Sequence, residues 1–533
     1  MNRKHFLATI GLGIALLECE AGTGGGMVMA SLKPRPGGQD VTPDGIELIL
    51  VIGDSTAAGS NNSGGVGPTV PTGQGLCYVR SGNTIRDIGS TDVFGTSAGS
   101  QFPQMCMDYY ALTKRQLCII PSAVGSSTIV HTSGTNDWST SGVNYVNAVS
   151  DAKSAMLIKG VARLAAIFID TLGINDVRGA QSTANILAAQ QDLILRIQTD
   201  FPNVPIFIGQ IGPDGSGNAA SMNYSGNGCR RSWKKICEDN TNCELIAGLI
   251  ADYVNGYIGA DNLHPSQAGN NLRGFRNANH FAMYRKGQYS KWSRSIISAH
   301  YDSLSDTRRG YIENLIGSRT TAYLGHDFLF VHRSTLRTNL FVDWTLVNSP
   351  QTDPGFTFAA NDCITFDGVA TYFRTGYRQS GGNRLAITDG QLASKVKTNN
   401  TAAASPDACL IGSFFGSEIS ILQRSTSVIQ YKALDVTATT DATDTAFING
   451  KEYATIRDAG NKRLYKDWSQ IASAAVVNQG TCGVEVIEGA YGTTNNNTSL
   501  AKFWGGSSLY CRGNQFSVDG NFAAALQTLL NSW

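Results

Sequence analysis

Four short runs of consecutive apolar residues recur along the first half of the chain, and stretches with helical spacing lie between them. The runs are Leu48–Ile52, Leu117–Ile120, Leu164–Ile169 and Val204–Ile208. Uninterrupted apolar runs of this length are typical of parallel strands that are buried on both faces. Strand–helix–strand repetition therefore predicts an α/β fold of three layers, with a parallel sheet covered by helices on both faces.

The helical stretches show the expected periodicity. Between the last two runs, Ile186, Ala189, Leu193 and Ile197 fall on one helical face, and a second helix is predicted over Glu244–Tyr257. In open parallel sheets, functional residues lie in the loops at the carboxyl ends of the strands. The residues that directly follow the apolar runs are therefore the first candidates for a site.

The chain has 533 residues, which exceeds the roughly 250–300 residues of a single core, so a second domain is expected. After residue 325 the apolar runs become short and rich in β-branched and aromatic residues, and turn-forming residues separate them. Examples are Phe328–Val331, Ala370–Phe373, Ser420–Leu422 and Val484–Ile487. This pattern predicts an antiparallel β-sandwich of the jelly-roll type over 325–533. A helical connector over 286–324 joins it to an α/β domain over 46–285.

Charge excludes some partners. The chain carries 42 Lys and Arg against 41 Asp and Glu, a net charge of +1. Dense contact with phosphates needs clustered positive charge, so we expect no nucleic-acid partner. No apolar run reaches the length of about 18 residues that a membrane-spanning helix needs.

Residues 1–30 have the pattern of an export signal. A basic start, Asn2–His5, precedes the twelve-residue apolar stretch Phe6–Leu17, which is too short to span a bilayer. Cys19 follows a sequence similar to a lipoprotein processing box, except that Glu18 stands where a small residue is usual. We expect a secreted or cell-surface protein. Lipidation of Cys19, or an ordinary N-terminal element of a protein that is not exported, are the alternatives.

Cysteine numbers fit the same compartment. Without Cys19, six of the 11 cysteines lie before residue 290 and four after it, and even numbers are what disulfides within each domain require. Cys237 and Cys243 are the preferred local pair, with buried free thiols as the alternative. The chain contains no CxxC pair and no HExxH helix, so we predict no metal site.

Two sequence blocks carry the residues of nucleophilic catalysis. Ser55 follows Gly53-Asp54 at the end of the first strand, where it serves either as an exposed hydroxyl or as a helix cap. Asp261-Asn262-Leu263-His264-Pro265 lies late in the domain. A serine needs a base to take its proton, and the base needs a carboxylate to orient it. Asp261 can supply that carboxylate to His264 from the same loop, and a helix should begin near Ser266.

Two further blocks offer groups that stabilise an oxyanion. Gly125 follows the second apolar run, and Asn175 follows the third. A glycine N–H and a side-chain amide at strand ends suit the negative charge of a tetrahedral intermediate. Each is also an ordinary turn residue, so neither is conclusive alone.

In this order, the four blocks resemble those of the SGNH (GDSL-like) hydrolase family over residues 46–285, with Thr56 in place of the leucine of the name motif. The resemblance implies a flavodoxin-like sheet, Ser55 as nucleophile, His264 as base and Asp261 as orienting acid. It also implies an oxyanion hole formed by the N–H groups of Ser55 and Gly125 and the side chain of Asn175. No cofactor is needed.

The loops favour a carbohydrate O-acetylesterase within that family. Residues 59–75 and 126–144 are mostly Gly, Ser, Thr and Asn, with Trp138 as a residue suited to a sugar surface. The expected partner is an acylated polysaccharide. After residue 325 the chain resembles concanavalin-like or laminin G-like domains, on the residues Phe366-Asp367-Gly368, Tyr372, Thr375-Gly376 and Phe503–Gly506.

Two other functions remain open. Thr307–Ile312 is similar to a motif of phage tail-associated proteins, so the chain could be a glycan-binding adhesin, or a virion tail protein, with minor esterase activity. A lipase-type esterase is the third reading. Turnover of an aryl acetate distinguishes the acetylesterase from the adhesin. Acyl-chain preference distinguishes the acetylesterase from the lipase-type esterase.

Overall fold

The computed structural model describes residues 45–317 except 60–64, 91–98, 133–135, 213–225, 247, 249–256, 260, 262 and 302–303, and beyond residue 317 it describes strands and a few single residues. The expected export signal with Cys19 lies outside the described residues. So do Phe366-Asp367-Gly368 and Tyr372.

A seven-stranded sheet forms the centre of the α/β domain, in the order β3-β2-β4-β1-β5-β6-β7. All neighbouring strands are parallel except β2 and β3. The strands are β1 Ile46–Gly53, β2 Gly75–Val79, β3 Thr84–Asp87, β4 Gln116–Pro121, β5 Ala166–Asp170, β6 Ile206–Gly209 and β7 Cys243–Ile246. The four predicted strands are thus confirmed, with shifts of one or two residues at their ends.

Helices cover both faces of this sheet. They are α1 Phe102–Thr113, α2 Val143–Lys159, α3 Ile174–Arg178, α4 Thr183–Asp200, α5 Asn227–Asp239, α6 Gln267–Arg285, α7 Lys291–Ala299 and α8 Asp306–Gly317. Along β1, Leu48 and Leu50 pack into one core with α2, α4 and α5, whereas Ile49 and Val51 pack into the other with α1 and α6. Successive side chains of a strand point to opposite faces, so the continuous apolar run serves both cores and the three-layer prediction is confirmed.

The order of the strands places three loops beside one another. β1 lies between β4 and β5, and Val51 is paired with Pro121 while Gly53 is paired with Asp170. The chain leaves β1 toward one side of the sheet and later returns to its other side, which creates a crevice at the carboxyl ends of these strands. The loops after β1, β4 and β5 meet there.

One predicted helix is wrong in part. Residues 244–246 belong to β7, which extends the sheet parallel to β6, rather than to a helix over Glu244–Tyr257. Leu245 and Ile246 are buried at this edge of the sheet. A run this short cannot be assigned to strand or helix by periodicity alone.

The six cysteines of the α/β domain, all of which the structure describes, form none of the expected disulfides. Cys77, Cys106, Cys118, Cys229, Cys237 and Cys243 are all buried free thiols, so the Cys237–Cys243 pair is wrong. Burial raises the pKa of the Cys237 and Cys243 thiols, because a thiolate is poorly solvated in an apolar core. These residues act as small apolar side chains in the two cores.

The connector helices α7 and α8 have a core of their own. Ile296 and Ile297 of α7 pack with Ile312 and Leu315 of α8. The same cluster includes Met283 of α6, together with Trp344 and Leu529 from the second half of the chain. We call this cluster the connector core.

Beyond residue 317 the described strands form antiparallel sheets. One has the order β15-β14-β13-β12-β19-β10-β9, another β18-β17-β16-β11-β22-β8, and β20 pairs with β21. The strands are β8 Phe328–Leu329, β9 Gln351–Thr352, β10 Phe373–Arg378, β11 Asp389–Asn399, β12 Ala408–Ser413, β13 Glu418–Ser425, β14 Val428–Asp435, β15 Thr440–Ala442, β16 Glu452–Asp458, β17 Asn461–Lys466, β18 Ser469–Ala475, β19 Glu485–Glu488, β20 Ala490–Tyr491, β21 Ser499–Leu500 and β22 Phe503–Tyr510. Their packing into a sandwich stays a prediction.

Among the described helices, none has the length and apolar character needed to cross a membrane.

Candidate active site

Ser55 lies on a tight turn directly after β1. Gly53 precedes it where a side chain has no room, since a Cβ there would lie 2.3 Å from the Asp170 carbonyl oxygen and 2.5 Å from the Ala57 Cβ. The turn is closed by a hydrogen bond from Ala58 N to Asp54 O, 2.9 Å. Glycine therefore lets the chain turn against β5, and Ser55 stands at the top of the sheet.

Ser55, His264 and Asp261 form one hydrogen-bonded chain. The distance from Ser55 Oγ to His264 Nε2 is 2.8 Å, and from His264 Nδ1 to Asp261 Oδ2 it is 2.6 Å. A carboxylate can only accept, so Nδ1 carries a proton and Nε2 is free to accept one from Ser55. This is the geometry that a serine nucleophile and its base require.

Local bonds hold the His264 loop in shape. Asp261 Oδ1 accepts from the N–H groups of Leu263 and His264, each at 3.0 Å. α6 begins two residues after Pro265, and its Ser266 cap accepts from Gly269 N at 3.2 Å. The predicted helix start at Ser266 is confirmed. The His264 side chain is 16% exposed, so the base is shielded yet open to the crevice.

Gly125 and Asn175 follow β4 and β5, the two strands that flank β1. A Cβ on Gly125 would lie 3.9 Å from Ser55 Cβ, which puts its backbone beside the nucleophile. Asn175 is the second residue of α3, and its Nδ2 donates to Ser127 O at 2.9 Å. An amide has two N–H groups, so the second remains for a ligand. The structure thus joins Ser55, His264 and Asp261, places Gly125 beside Ser55, and bonds Asn175 to the loop that follows Gly125.

A residue that the sequence did not reveal, Thr171, links two of these loops. Its φ of +55° is a left-handed conformation that is rare for a β-branched residue. Its hydroxyl donates to Asp54 Oδ1 at 2.9 Å, which also accepts from Thr56 N at 3.0 Å. Asp54 therefore fixes the backbone after Ser55 and the turn that leads to Asn175.

A buried charged cluster lies beneath this link. Asp170 accepts from Gln101 Nε2 at 2.6 Å and from Arg273 of α6, and both charged side chains are fully buried. Gln101 in turn accepts from Asn277 at 2.7 Å. α6, which starts just after His264, is thereby tied to the end of β5.

Asp54 has an altered acidity. Burial raises its pKa to about 7, with a further contribution from the charge of Asp170, and the hydrogen bonds from Thr171 and Thr56 and the charge of Arg273 only partly oppose this. Its Oδ2 is buried and has no hydrogen-bond partner among the described residues. Both observations indicate a carboxyl group that is easily protonated near neutral pH.

Trp138 does not lie at a sugar-binding surface. It is completely buried, and its Nε1 donates to Ser127 Oγ at 2.9 Å. The large ring fills the core beneath the loop between β4 and α2. It therefore contributes hydrophobic packing to the fold and presents no surface to a sugar. The expectation for Trp138 is therefore wrong.

Within the part of the chain that the structure describes, no group of three or more His, Cys, Asp or Glu residues could hold a metal ion.

No family model and no curated protein matches the chain. Among solved structures, a protein from Arabidopsis thaliana is 15% identical, with a TM-score of 0.36, and the match covers 45% of this chain and 98% of that one. NanS is 13% identical with a TM-score of 0.36, and the match covers 46% of this chain and all of that one, 100%. A Trypanosoma rangeli sialidase in complex with 2,3-difluorosialic acid is 11% identical with a TM-score of 0.31, and the match covers 39% of this chain and 33% of the sialidase.

Proposed function

We propose that this protein is a serine ester hydrolase that removes small acyl groups, chiefly acetyl, from a carbohydrate. The observation that carries the proposal is the chain of short hydrogen bonds from Ser55 through His264 to Asp261. Its residues come from two loops 209 positions apart in the sequence, at the switch point of the sheet where such sites form.

The geometry supports acyl transfer through an acyl-enzyme. Ser55 Oγ attacks the ester carbonyl carbon while its proton passes to His264 Nε2, and the carbonyl π electrons move to the oxygen. Asp261 stabilises the imidazolium through Nδ1. His264 then gives the proton to the departing alcohol as the tetrahedral intermediate collapses to the acyl-enzyme.

Water completes the cycle. His264 takes a proton from water, whose oxygen attacks the acyl carbon, and Ser55 leaves with that proton as the carboxylic acid forms. In both tetrahedral states the oxyanion would accept from Asn175 Nδ2 and from the N–H groups of Ser55 and Gly125. Among the described residues, no hydrogen bond uses either of these two N–H groups.

The substrate class rests on the loops, and the second half of the chain adds a binding role. The polar loops after β1 and β4 suit a hydroxyl-rich ligand better than a long acyl chain. We propose that the antiparallel sheets beyond residue 317 form a sandwich that holds the polysaccharide near the site, and that the protein acts outside the cell.

The test is release of acetate from acetylated glycans by purified protein, with turnover of an aryl acetate beside it. Ser55→Ala should lower turnover by about 10⁶-fold, as loss of an activated nucleophile does, and should leave the protein folded. Ser141→Ala, an exposed serine on the loop before α2, is the matched control. Residual activity within about tenfold of the parent would show that Ser55 is the wrong serine.

Acyl-chain length separates the lipase-type alternative. Acetate esters should be turned over faster than octanoate esters of the same alcohol. The reverse order would favour a lipase-type enzyme, and no turnover of any ester would leave the adhesin reading.

A further inference from the structure

The loop between β4 and α2 is fastened to the candidate site at several points. Ser127 Oγ donates to Gly53 O at 3.2 Å, and Ser127 O accepts from Asn175 Nδ2 at 2.9 Å. Trp138 anchors the far side of the loop to the same serine. Ser127 therefore ties the loop to the turn that carries Ser55 and to Asn175.

Asp176, the neighbour of Asn175, fixes the next part of this loop. Its two carboxylate oxygens accept from the N–H groups of Ile129 and Val130, each at 2.9 Å. His131 follows directly, so its Cα lies about 3.8 Å from that of Val130. The position of His131 is thus set by the same short helix that positions Asn175.

His131 is held by a carboxylate that is otherwise committed to the loop. Its Nδ1 lies 2.8 Å from Asp137 Oδ2, while Asp137 Oδ1 accepts from Ser139 N at 3.0 Å and from Ser139 Oγ at 2.5 Å. Burial raises the pKa of Asp137, but hydrogen bonds from Ser139 and His131 outweigh this and lower it overall. Asp137 is therefore ionised and can only accept, so His131 Nδ1 carries the proton.

The outer edge of the ring faces solvent. The Asp137 side chain is 2% exposed, whereas that of His131 is 56% exposed, and among the described residues no hydrogen bond involves Nε2. An imidazole whose Nδ1–H is held by a carboxylate presents Nε2 as an oriented acceptor. This repeats the arrangement of Asp261 and His264, except that among the described residues no serine is hydrogen-bonded to Nε2.

We propose that His131 is a substrate-binding residue whose Nε2 accepts a hydrogen bond from a free hydroxyl of the sugar that carries the ester. The inference rests on the proposed esterase function and adds a determinant of its specificity. A sugar supplies the O–H donor that Nε2 requires, whereas the acetyl group and an aryl leaving group supply none. The residue would therefore favour sugar esters over simple esters of the same acid.

The experiment compares His131→Ala with Thr140→Ala, an exposed residue further along the same loop, on two kinds of ester. The first is 4-nitrophenyl acetate, and the second is a panel of monoacetylated methyl hexosides. Loss of one hydrogen bond is worth about 0.5–1.5 kcal/mol. We therefore expect KM for the best hexoside to rise about two- to twelvefold in His131→Ala, with aryl acetate turnover and the unfolding midpoint unchanged. Thr140→Ala should change none of these quantities.

A binding measurement tests the role of His131 independently of the proposed esterase function. Titration of the same hexosides into Ser55→Ala and into Ser55→Ala/His131→Ala should show affinity that depends on His131. If no ester is hydrolysed but that dependence is present, the esterase proposal fails and the binding residue stands. Equal losses on both kinds of ester, unchanged KM for every hexoside, or no hexoside binding at millimolar concentration would each overturn the role of His131.

Discussion

At the residue scale, a hydrogen bond between Thr171 and Asp54 holds the turns after β1 and β5 together. A β-branched residue at a φ of +55° costs on the order of 1–3 kcal/mol, and such strain persists only where the surroundings enforce it. Here the enforcing contacts are the hydroxyl bond to Asp54 Oδ1 at 2.9 Å and the bond from Thr171 N to Gly209 O at 3.0 Å. The strain is therefore part of how the turn that leads to Asn175 is held against the turn that carries Ser55.

Asp54→Asn should change how stability depends on pH. Because the folded-state pKa is raised from 3.8 to about 7, the folded protein holds this proton more tightly than the unfolded chain. Its contribution to stability is complete below pH 3.8 and is lost as the pH rises through about 7. Asparagine keeps the Oδ1 acceptor and cannot ionise, so the stability of the variant relative to the parent should increase from pH 4 to pH 8.

Denaturant unfolding at several pH values measures this, with Asp87→Asn, at an exposed position, as control. Each pKa unit corresponds to about 1.4 kcal/mol, so a change in relative stability of at least that size is expected. A parallel pH profile for parent and Asp54→Asn would mean that Asp54 stays ionised in the folded protein.

Asn175→Ala should act on the rate of chemistry rather than on binding. Removal of one oxyanion donor lowers kcat by about 10²–10³-fold, because the charge it stabilises exists only in the transition state. Steady-state kinetics on an aryl acetate provide the measurement. A rise in KM with unchanged kcat would place Asn175 among the groups that bind the ground state.

The sequence predicted those residues of the site that a local pattern marks. Asp261 and His264 are three residues apart in one loop, and Ser55, Gly125 and Asn175 each follow an apolar run that marks a strand. The bond from Thr171 to Asp54 spans 117 positions and depends on a left-handed backbone that no residue type announces. The burial of Trp138 and the pairing of His131 with Asp137 likewise depend on how the loop folds back on itself.

At the scale of elements, the edge strand β7 is joined to two helices by one buried carboxylate. Glu244 accepts from Arg294 of α7, and it lies 3.0 Å from Nε2 of His280 in α6. Burial raises the pKa of Glu244, but the hydrogen bond from His280 and the charge and bonds of Arg294 lower it to about 2. The sequence could not show that Glu244 joins these elements, because His280 and Arg294 lie 36 and 50 positions away from it.

Glu244→Gln should therefore destabilise the fold without touching the site. Breaking a buried pair costs about 3–5 kcal/mol, since Arg294 is left without its counterion. A carboxylate with a lowered pKa contributes stability that is present above pH 4.5 and is lost as the pH falls toward about 2. The gap in unfolding free energy between parent and variant should be largest at pH 7 and should narrow below pH 4.5. A gap independent of pH would show that charge is not what joins these elements.

At the scale of the whole molecule, the end of the chain returns to the connector helices. Trp344 and Leu529 pack with Ile312 and Leu315 of α8, and Arg308 donates to Ser532 O at 3.1 Å. Met283 of α6 belongs to the same connector core. The sequence predicts a separate domain after residue 325. It could not predict this packing, because no local pattern shows that Trp344 and Leu529 pack against α8.

A cut near Ser318 should consequently separate activity from stability. Ser55, Gly125, Asn175, Asp261 and His264 all precede the cut, so the fragment should hydrolyse an aryl acetate at nearly the full-length rate. Its unfolding midpoint should fall, because removing a buried tryptophan side chain alone costs about 3–5 kcal/mol. Trp344→Ala in the full chain tests that same contact while the tail stays attached, and it should reproduce much of the loss.

On an acetylated polymer at low concentration, the fragment should release acetate more slowly than the parent and the full-length Trp344→Ala variant. It lacks the tether that raises the local substrate concentration. Equal polymer activity would remove the support for glycan binding by the tail. An unchanged unfolding midpoint for the fragment would show that the connector core does not need Trp344 and Leu529. The fragment could also lose aryl acetate turnover at temperatures well below its unfolding midpoint, where it is still folded. That result would mean that the tail holds α6, and with it the His264 loop, in place.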